Sequence, residues 1–328
     1  MKKLLNSPDT YVDDMLSGLC AAYPSLVREQ TRVVRSTDAP RKGKVGIVSG
    51  GGSGHLPLFT GYVGRGMIDS FAIGDVFAGP TVGACVMAIR AADGGKGVLR
   101  LYGNYGGDRM NFDLAGEMLA DEGIETTTVL GTDDVASASP AESSKRRGVA
   151  GLIYAYKIAG AKAAGDASLE EVTGVAKKAV DHTRTIGVAL SPCQIPGAAT
   201  PTFTLAATEI EMGMGIHGEP GIWRDNMKPA DAIADEMTDR LLVERQTTNP
   251  RVSILLNSLG ATPLEELFIL YRRIAARLRD AELQIVQPLI GHWATSMEMA
   301  GVSLSLLFLD DELERLLAAP ADCPFWRV

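Results

Sequence analysis

The chain has 328 residues, 46% of them hydrophobic and 22% charged, which is ample apolar material for a sizeable core and long enough to suggest two domains. Its net charge of −8 at pH 7 argues against a nucleic-acid partner, because phosphate binding calls for a basic patch. The four cysteines, Cys20, Cys85, Cys193 and Cys323, lie at no metal-ligand spacing and are too sparse for a disulfide framework, which points to a reducing, cytoplasmic setting.

In chain order, Met1-Lys2-Lys3-Leu4-Leu5 is cut short by Asn6-Ser7-Pro8-Asp9, so neither a signal peptide nor a membrane span is expected. Thr10 to Ala22 reads as an amphipathic helix, and Thr31 to Arg35 as a short strand. Val45 to Ser49 is a buried-strand pattern, followed by a glycine-rich loop, Gly50 to His55. Ser70 to Ile73 is a further strand, Thr81 to Ala92 a helix after Pro80, and Gly97 to Tyr102 a strand. That strand exits into Gly103-Asn104-Tyr105-Gly106-Gly107-Asp108, ahead of a helix at Met110 to Asp121 and a strand at Thr126 to Leu130. Strands alternating with helices at this spacing predict a parallel α/β sheet.

The only dense basic run, Lys145-Arg146-Arg147, reads as a solvated loop or helix start. Gly148 to Ala164 and Leu169 to Thr185 are helical patterns, the second opened by a capping box of Ser168 and Glu171. Ile186 to Leu190 begins a new strand, so the domain boundary is placed there. Residues 1–185 form an N-terminal α/β domain with His55 and Asp108, and residues 186–328 a C-terminal mixed α+β domain with His217. Its strands are predicted near Phe203, at Glu209 to Met212, Arg251 to Asn257, Leu283 to Gln287 and Ser303 to Leu309. Helices are predicted at Ala230 to Arg245 and Pro263 to Arg279.

Two of the four histidines, His55 and His217, sit in glycine-rich segments after predicted strands. A lone loop histidine is commonly structural; a second in the same setting favours a reactive pair, since scaffold-held loops present reactive groups. Asp108 precedes a predicted helix and has two readings, an N-cap or a catalytic carboxylate. Gly213, Gly215 and Gly218 match a dinucleotide fingerprint, but no helix begins directly after them, so the match is read as false. There is no phosphate-loop sequence and no metal-ligand cluster. His182 reads as structural and His292 is unassigned. One carboxylate and two imidazoles suit a polyhydroxylated substrate: a carboxylate can take a hydroxyl proton, and a neutral imidazole can add to a ketone carbonyl.

The loops also carry a resemblance. Gly43-Lys44-Val45 through Gly52-Ser53-Gly54-His55, Asn104-Tyr105 with Gly107-Asp108, Arg146-Arg147-Gly148-Val149-Ala150-Gly151, Gly187 to Cys193, Gly215-Ile216-His217-Gly218-Glu219-Pro220-Gly221, Gly260-Ala261-Thr262-Pro263 and Leu309-Asp310-Asp311-Glu312-Leu313 fall in one register nearly end to end. They resemble the substrate-binding subunits of the dihydroxyacetone kinase family. The resemblance implies that His217 binds a ketone covalently as a hemiaminal. It implies that Asp108 is the general base on the hydroxyl to be phosphorylated. Gly52, Ser53 and Gly54 would contact substrate, and His55 would assist. It further implies a homodimer with no cofactor in this chain, and a separate helical subunit carrying ATP or ADP with Mg²⁺. Departures from the family pattern are Leu56, Gly103, Gly106 and Gly291-His292-Trp293, where glutamate, lysine, threonine and Gly-Asn-Tyr are usual. They suggest a four-carbon ketose such as erythrulose in place of dihydroxyacetone. The alternative is a non-catalytic ketose-binding coactivator.

Overall fold

The computed structural model describes residues 2–30 and 32–328, so Thr31, part of one expected strand, lies outside the described residues. The chain divides into two compact units. One comprises Met1–Gly131, Ile153–Ala179 and Arg315–Val328, the other Thr132–Leu152 and Val180–Glu314.

In the first unit the elements are α1 (Tyr11–Ala22), β1 (Leu26–Glu29), β2 (Val33–Ser36), β3 (Gly46–Ser53), β4 (Ser70–Val76), α2 (Val82–Ala92), β5 (Val98–Gly103), α3 (Gly106–Ala120), β6 (Thr126–Gly131) and most of α4 (Leu152–Ala164) and α5 (Leu169–Asp181). The sheet order is β1-β2-β4-β3-β5-β6. β3 runs parallel to β4 and β5, and β5 to β6, as the strand–helix alternation predicts. β1 and β2 make an antiparallel edge. Ala84, Cys85, Ala88 and Ile89 of α2 and Phe112, Ala115 and Leu119 of α3 pack together with Val48, Ala72, Val98 and Tyr102 of the strands in one core. α4, apolar almost all round, is buried along most of its length, as such a helix must be. The Tyr156 hydroxyl on α4 meets the Ser49 hydroxyl of β3 at 2.7 Å.

The second unit holds β7 (Thr183–Ala189), β8 (Glu209–Met212), β9 (Trp223–Asn226), α6 (Ala230–Leu242), β10 (Arg251–Ser258), α7 (Leu264–Asp280), β11 (Gln284–Ile285), β12 (Leu289–Gly291), β13 (Gly301–Phe308) and most of α8 (Asp311–Leu317). Its sheet runs β11-β10-β13-β7-β8-β9 with β12 beside β10, and the long pairs β10–β13 and β13–β7 are antiparallel. Alternate residues Val252, Ile254 and Leu256, and Val302, Leu304, Leu306 and Phe308, share a core with Ile233 and Met237 of α6 and Leu267, Ile274 and Leu278 of α7. This is the period-2 pattern of a sheet with one apolar face. The opposite face is polar yet buried: Thr185 Oγ1 donates to Ser305 Oγ at 2.7 Å, and Asn257 Nδ2 to Ser303 Oγ at 3.0 Å.

Several expectations need correction. The helix predicted from Leu169 to Thr185 ends at Asp181, because Thr183–Ala189 is claimed by pairing with β13. No strand forms near Phe203; Pro192, Pro196 and Pro201 deprive residues 190–208 of ladder donors. α3 begins at Gly106, four residues before the predicted start. Against the single boundary at 185/186, residues 132–152 join the second unit. There Thr185 N donates to Asp133 O, and the Asp133 carboxylate accepts from the backbone N–H groups of Val149 and Gly151. The C-terminal β14 (Asp322–Cys323) and β15 (Trp326–Arg327) form a hairpin that belongs to the first unit, where Asp322 bridges Arg65. Among the described residues no helix is long and apolar enough to cross a membrane.

Candidate active site

In the first unit the glycines ahead of His55 are not a loop. Gly50 to Gly52 and Ser53 continue β3. They are small because neighbours crowd the strand. A Cβ at Gly50 would stand 2.5 Å from the Phe112 ring, at Gly51 2.7 Å from Phe59, and at Gly52 2.8 Å from the Ala78 backbone nitrogen. Only Gly54, with φ +102°, needs glycine for its backbone conformation, and it turns the chain into His55. Ser53 Oγ donates to Gly74 O at 3.0 Å, tying the end of β3 to β4.

The His55 ring is fully buried, stacked on Phe77 with centroids 4.9 Å apart and edge-on to Phe59 at 5.8 Å. Asp108 is also buried, with 7% of its surface exposed. It is not the N-cap of α3: Tyr105 is, and Asp108 occupies the third helical position, where the helix dipole favours a carboxylate. A Cβ at Gly79 would come within 3.2 Å of the Asp108 carboxyl. His55 and Asp108 therefore border the same turn, residues 77–79, which follows β4. Buried Cys85 and Tyr102 both feel the Asp108 charge. Burial, reinforced by the Asp108 charge, pushes the Cys85 thiol up to about 12, and burial likewise raises the Tyr102 hydroxyl.

One departure is an open space here. Gly106, like its neighbour Gly107, is exposed at the start of α3, and a Cβ at either meets nothing within 4 Å.

In the second unit Gly213 to Ile222 is the connection between β8 and β9, so the dinucleotide-like glycines lead to a strand and not to a helix. Gly213 and Gly218 have φ of +86° and +85°, which glycine adopts without strain. The loop is tethered at several points. Gly213 N donates to Gly187 O at 2.6 Å, Gly221 N to Glu211 Oε1 at 2.7 Å, and Ser296 Oγ to Ile216 O at 2.5 Å. His217 and Glu219 face one another across the turn, with Nδ1 of the ring 2.9 Å from Glu219 Oε1. Glu219 Oε2 accepts the His217 backbone N–H at 2.9 Å. Burial would raise the Glu219 carboxyl, but the His217 hydrogen bond and charge and the Arg147 guanidinium hold it down at about 2.

Arg147 also donates from Nε to Asp134 Oδ2 at 2.9 Å, and Arg146 is buried in a two-pronged pair with Glu244 at 2.6 and 2.7 Å. The basic run expected to be solvated is thus largely internal wiring of the second unit. Only its spacing from a glutamate nearly one hundred residues away reveals this, and that is invisible in sequence. His182 holds Phe308 O through Nδ1 at 3.0 Å, a structural role, and His292 is exposed after β12. Glu219 is the residue that the chemistry-based reading passed over; its signal was the spacing of two from His217 in a tight glycine turn. No group of three His, Cys, Asp or Glu side chains among the described residues is placed to hold a metal ion.

Comparison with known proteins agrees with this architecture. The Dak1 domain family matches residues 17–325. The chain is 42% identical to the dihydroxyacetone-binding subunit of PTS-dependent dihydroxyacetone kinase 2 of Listeria innocua, covering all of both chains. It is 44% identical to the L-erythrulose 1-kinase of Mycolicibacterium smegmatis, covering all of this chain but 58% of that protein. The dihydroxyacetone kinase of C. freundii superposes with a TM-score of 0.91 at 32% identity over 99% of this chain and 60% of that one. The chain thus spans about three fifths of some relatives and the whole of others. With a match over almost its entire length, the chain belongs to the Dak1-domain family.

Proposed function

We propose that this chain is the substrate-binding subunit of a ketose kinase, holding a short-chain ketose for phosphorylation. The observation that carries the reading is the pair of buried or half-buried groups that the family register assigns, Asp108 at the head of α3 and His217 in its tethered loop with Glu219 on Nδ1. His217 Nε2 adds to the ketone carbon to give a hemiaminal, which selects ketones over alcohols. Asp108 takes the proton of the hydroxyl that attacks the phosphoryl group. Gly52, Ser53, Gly54 and His55 contact the sugar. The nucleotide, ATP or ADP with Mg²⁺, is carried by a separate helical subunit. This is supported by the C. freundii kinase solved with AMP-PNP and Mg²⁺, of which this chain matches 61%. The open space at Gly106, where threonine is usual, and the kinship with erythrulose kinases favour a four-carbon ketose.

A homodimer is part of the proposal. In the second unit Met227 and Ile269, about half exposed, line an apolar cleft of about 100 Å³, with Phe268 and Leu264 also exposed on α7, a surface suited to self-association.

The test is intact mass after incubation with dihydroxyacetone or erythrulose, with His217→Ala as control. An adduct of whole-substrate mass on the wild type alone supports the tether, and the sugar giving more adduct names the substrate. An equal adduct on His217→Ala would sink it. A second reading, a ketose-binding coactivator, is favoured by the operon co-activator that superposes at a TM-score of 0.90 over 96% of this chain and 98% of that one. Phosphoryl transfer on adding a nucleotide-binding partner subunit separates the two, since a coactivator needs no base.

A further inference from the structure

We propose that Glu219 is a positioning residue for His217, fixing its proton on Nδ1 and holding the positive charge that develops on the ring when Nε2 bonds to carbon. This rests on the covalent role proposed for His217, but the geometry stands by itself. An ionised carboxylate has no hydrogen to give, so the 2.9 Å contact from His217 Nδ1 to Glu219 Oε1 requires the proton to be on Nδ1. In the neutral ring the lone pair is then on Nε2.

The carboxylate is a built feature. Its second oxygen is occupied by the His217 backbone N–H at 2.9 Å, so side chain and main chain of one residue are gripped by one acceptor. Behind it stands Arg147, with Nη1 3.8 Å from Glu219 Oε2, itself anchored through Nη2 to Asp134 at 2.8 Å and to Gly213 O at 3.2 Å. Gly215 is the space into which the carboxylate fits: a Cβ there would lie 2.2 Å from Glu219 Oε2 and 2.6 Å from Arg147 Nη1. Histidine, glutamate, arginine and aspartate thus form an ordered chain of alternating charge that ends on the reactive ring. All four lie in the second unit.

The addition step balances. The Nε2 lone pair forms a C–N bond to the ketone carbon, the carbonyl π pair moves to oxygen, and that oxygen takes a proton from water. The ring keeps its Nδ1–H and is left with one positive charge, shared with the Glu219 carboxylate as an ion pair, and the hydroxide left by the water that protonated the oxygen goes to solvent. A carboxylate already in place stabilises this charge without reorganising.

The experiment compares wild type, Glu219→Gln and Gly215→Ala as full chains with ¹⁵N-labelled histidine. Without ketose, wild-type His217 should show a protonated-type Nδ1 and an unprotonated-type Nε2. Glu219→Gln can offer an N–H to the ring and should move the proton partly to Nε2, and Gly215→Ala should do the same by displacing the carboxylate. Ketose affinity should fall about 10- to 100-fold, the loss seen when the carboxylate behind a ligating histidine is removed. On a His217→Ala background Glu219→Gln should then change residual ketose binding less than about twofold, the signature of a residue acting through its neighbour. An unchanged ring spectrum, or a full loss repeated on the His217→Ala background, overturns the proposal. A shifted spectrum with no adduct on the wild type keeps the positioning role and removes the covalent one.

Discussion

Asp108 occupies the third position of α3, where a carboxylate is welcome for the helix and available for chemistry alike. The two roles separate on substitution. Asp108→Asn should leave the ketose adduct intact by mass while phosphoryl transfer falls by about 10²- to 10⁴-fold, the usual contribution of a general base. Turnover within twofold of wild type would reduce Asp108 to a helix-end charge. At this scale the sequence was a mixed guide. His55, Asp108 and His217 stood out because reactive side chains among glycines are rare. Yet the reason for the glycines at 50–52 was hidden: they make room for Phe112, Phe59 and the turn at Ala78, contacts that only folding creates.

At the scale of elements, α3 has two faces. Phe112, Ala115 and Leu119 are buried, while Met110, Leu114 and Met118, spaced four apart, stand 68%, 46% and 49% exposed. A surface helix ordinarily keeps such a row polar. The row lies on the helix whose first turn holds Asp108, where, under the proposed function, a phosphoryl donor on a separate subunit would arrive. The double variant Leu114→Ser/Met118→Ser is therefore expected to weaken association with the nucleotide-binding subunit by about tenfold or more, as loss of an apolar anchor does. Adduct mass and melting temperature should stay as in wild type. Partner binding unchanged in a pull-down titration would assign the row no docking role. Element types followed from periodicity, but starts and ends did not. α3 begins early, the Arg109 N–H already bonding to Tyr105 O at 3.0 Å, and α5 stops early because Thr183–Ala189 completes a ladder with β13. The β1, β9, β12, β14 and β15 segments are not among the strands expected from the sequence.

For the molecule as a whole, the chain does not pass once from one unit to the other; its last residues return to the first. Lys157 in α4 helps to hold them, donating from a fully buried Nζ to Leu316 O at 2.7 Å. Burial lowers its ammonium from 10.5 to about 8. Between those values the unfolded chain binds the proton and the folded one does not, so stability rises with pH across that window. That difference corresponds to about 3 kcal/mol. Relative to Lys157→Met, the wild type should gain up to about that amount between pH 8 and pH 10.5 in urea titrations. A difference that stays flat with pH would show that the amine titrates alike in both states.

The class of fold and the candidates for the reactive groups are legible in the sequence alone. Hydrophobic period and turn residues act locally, so α2, α3, β5 and β13 could be read within a few residues, and the glycine-flanked histidines could be picked out. Tertiary structure decided the rest. It drew Arg146 and Arg147 out of solvent onto Glu244 and Asp134, carried residues 132–152 and 315–328 away from their sequence neighbours, and set Glu219 against His217. Each of those outcomes depends on where partners distant in sequence, or a chain reversed upon itself, come to lie. A linear pattern states no such distances.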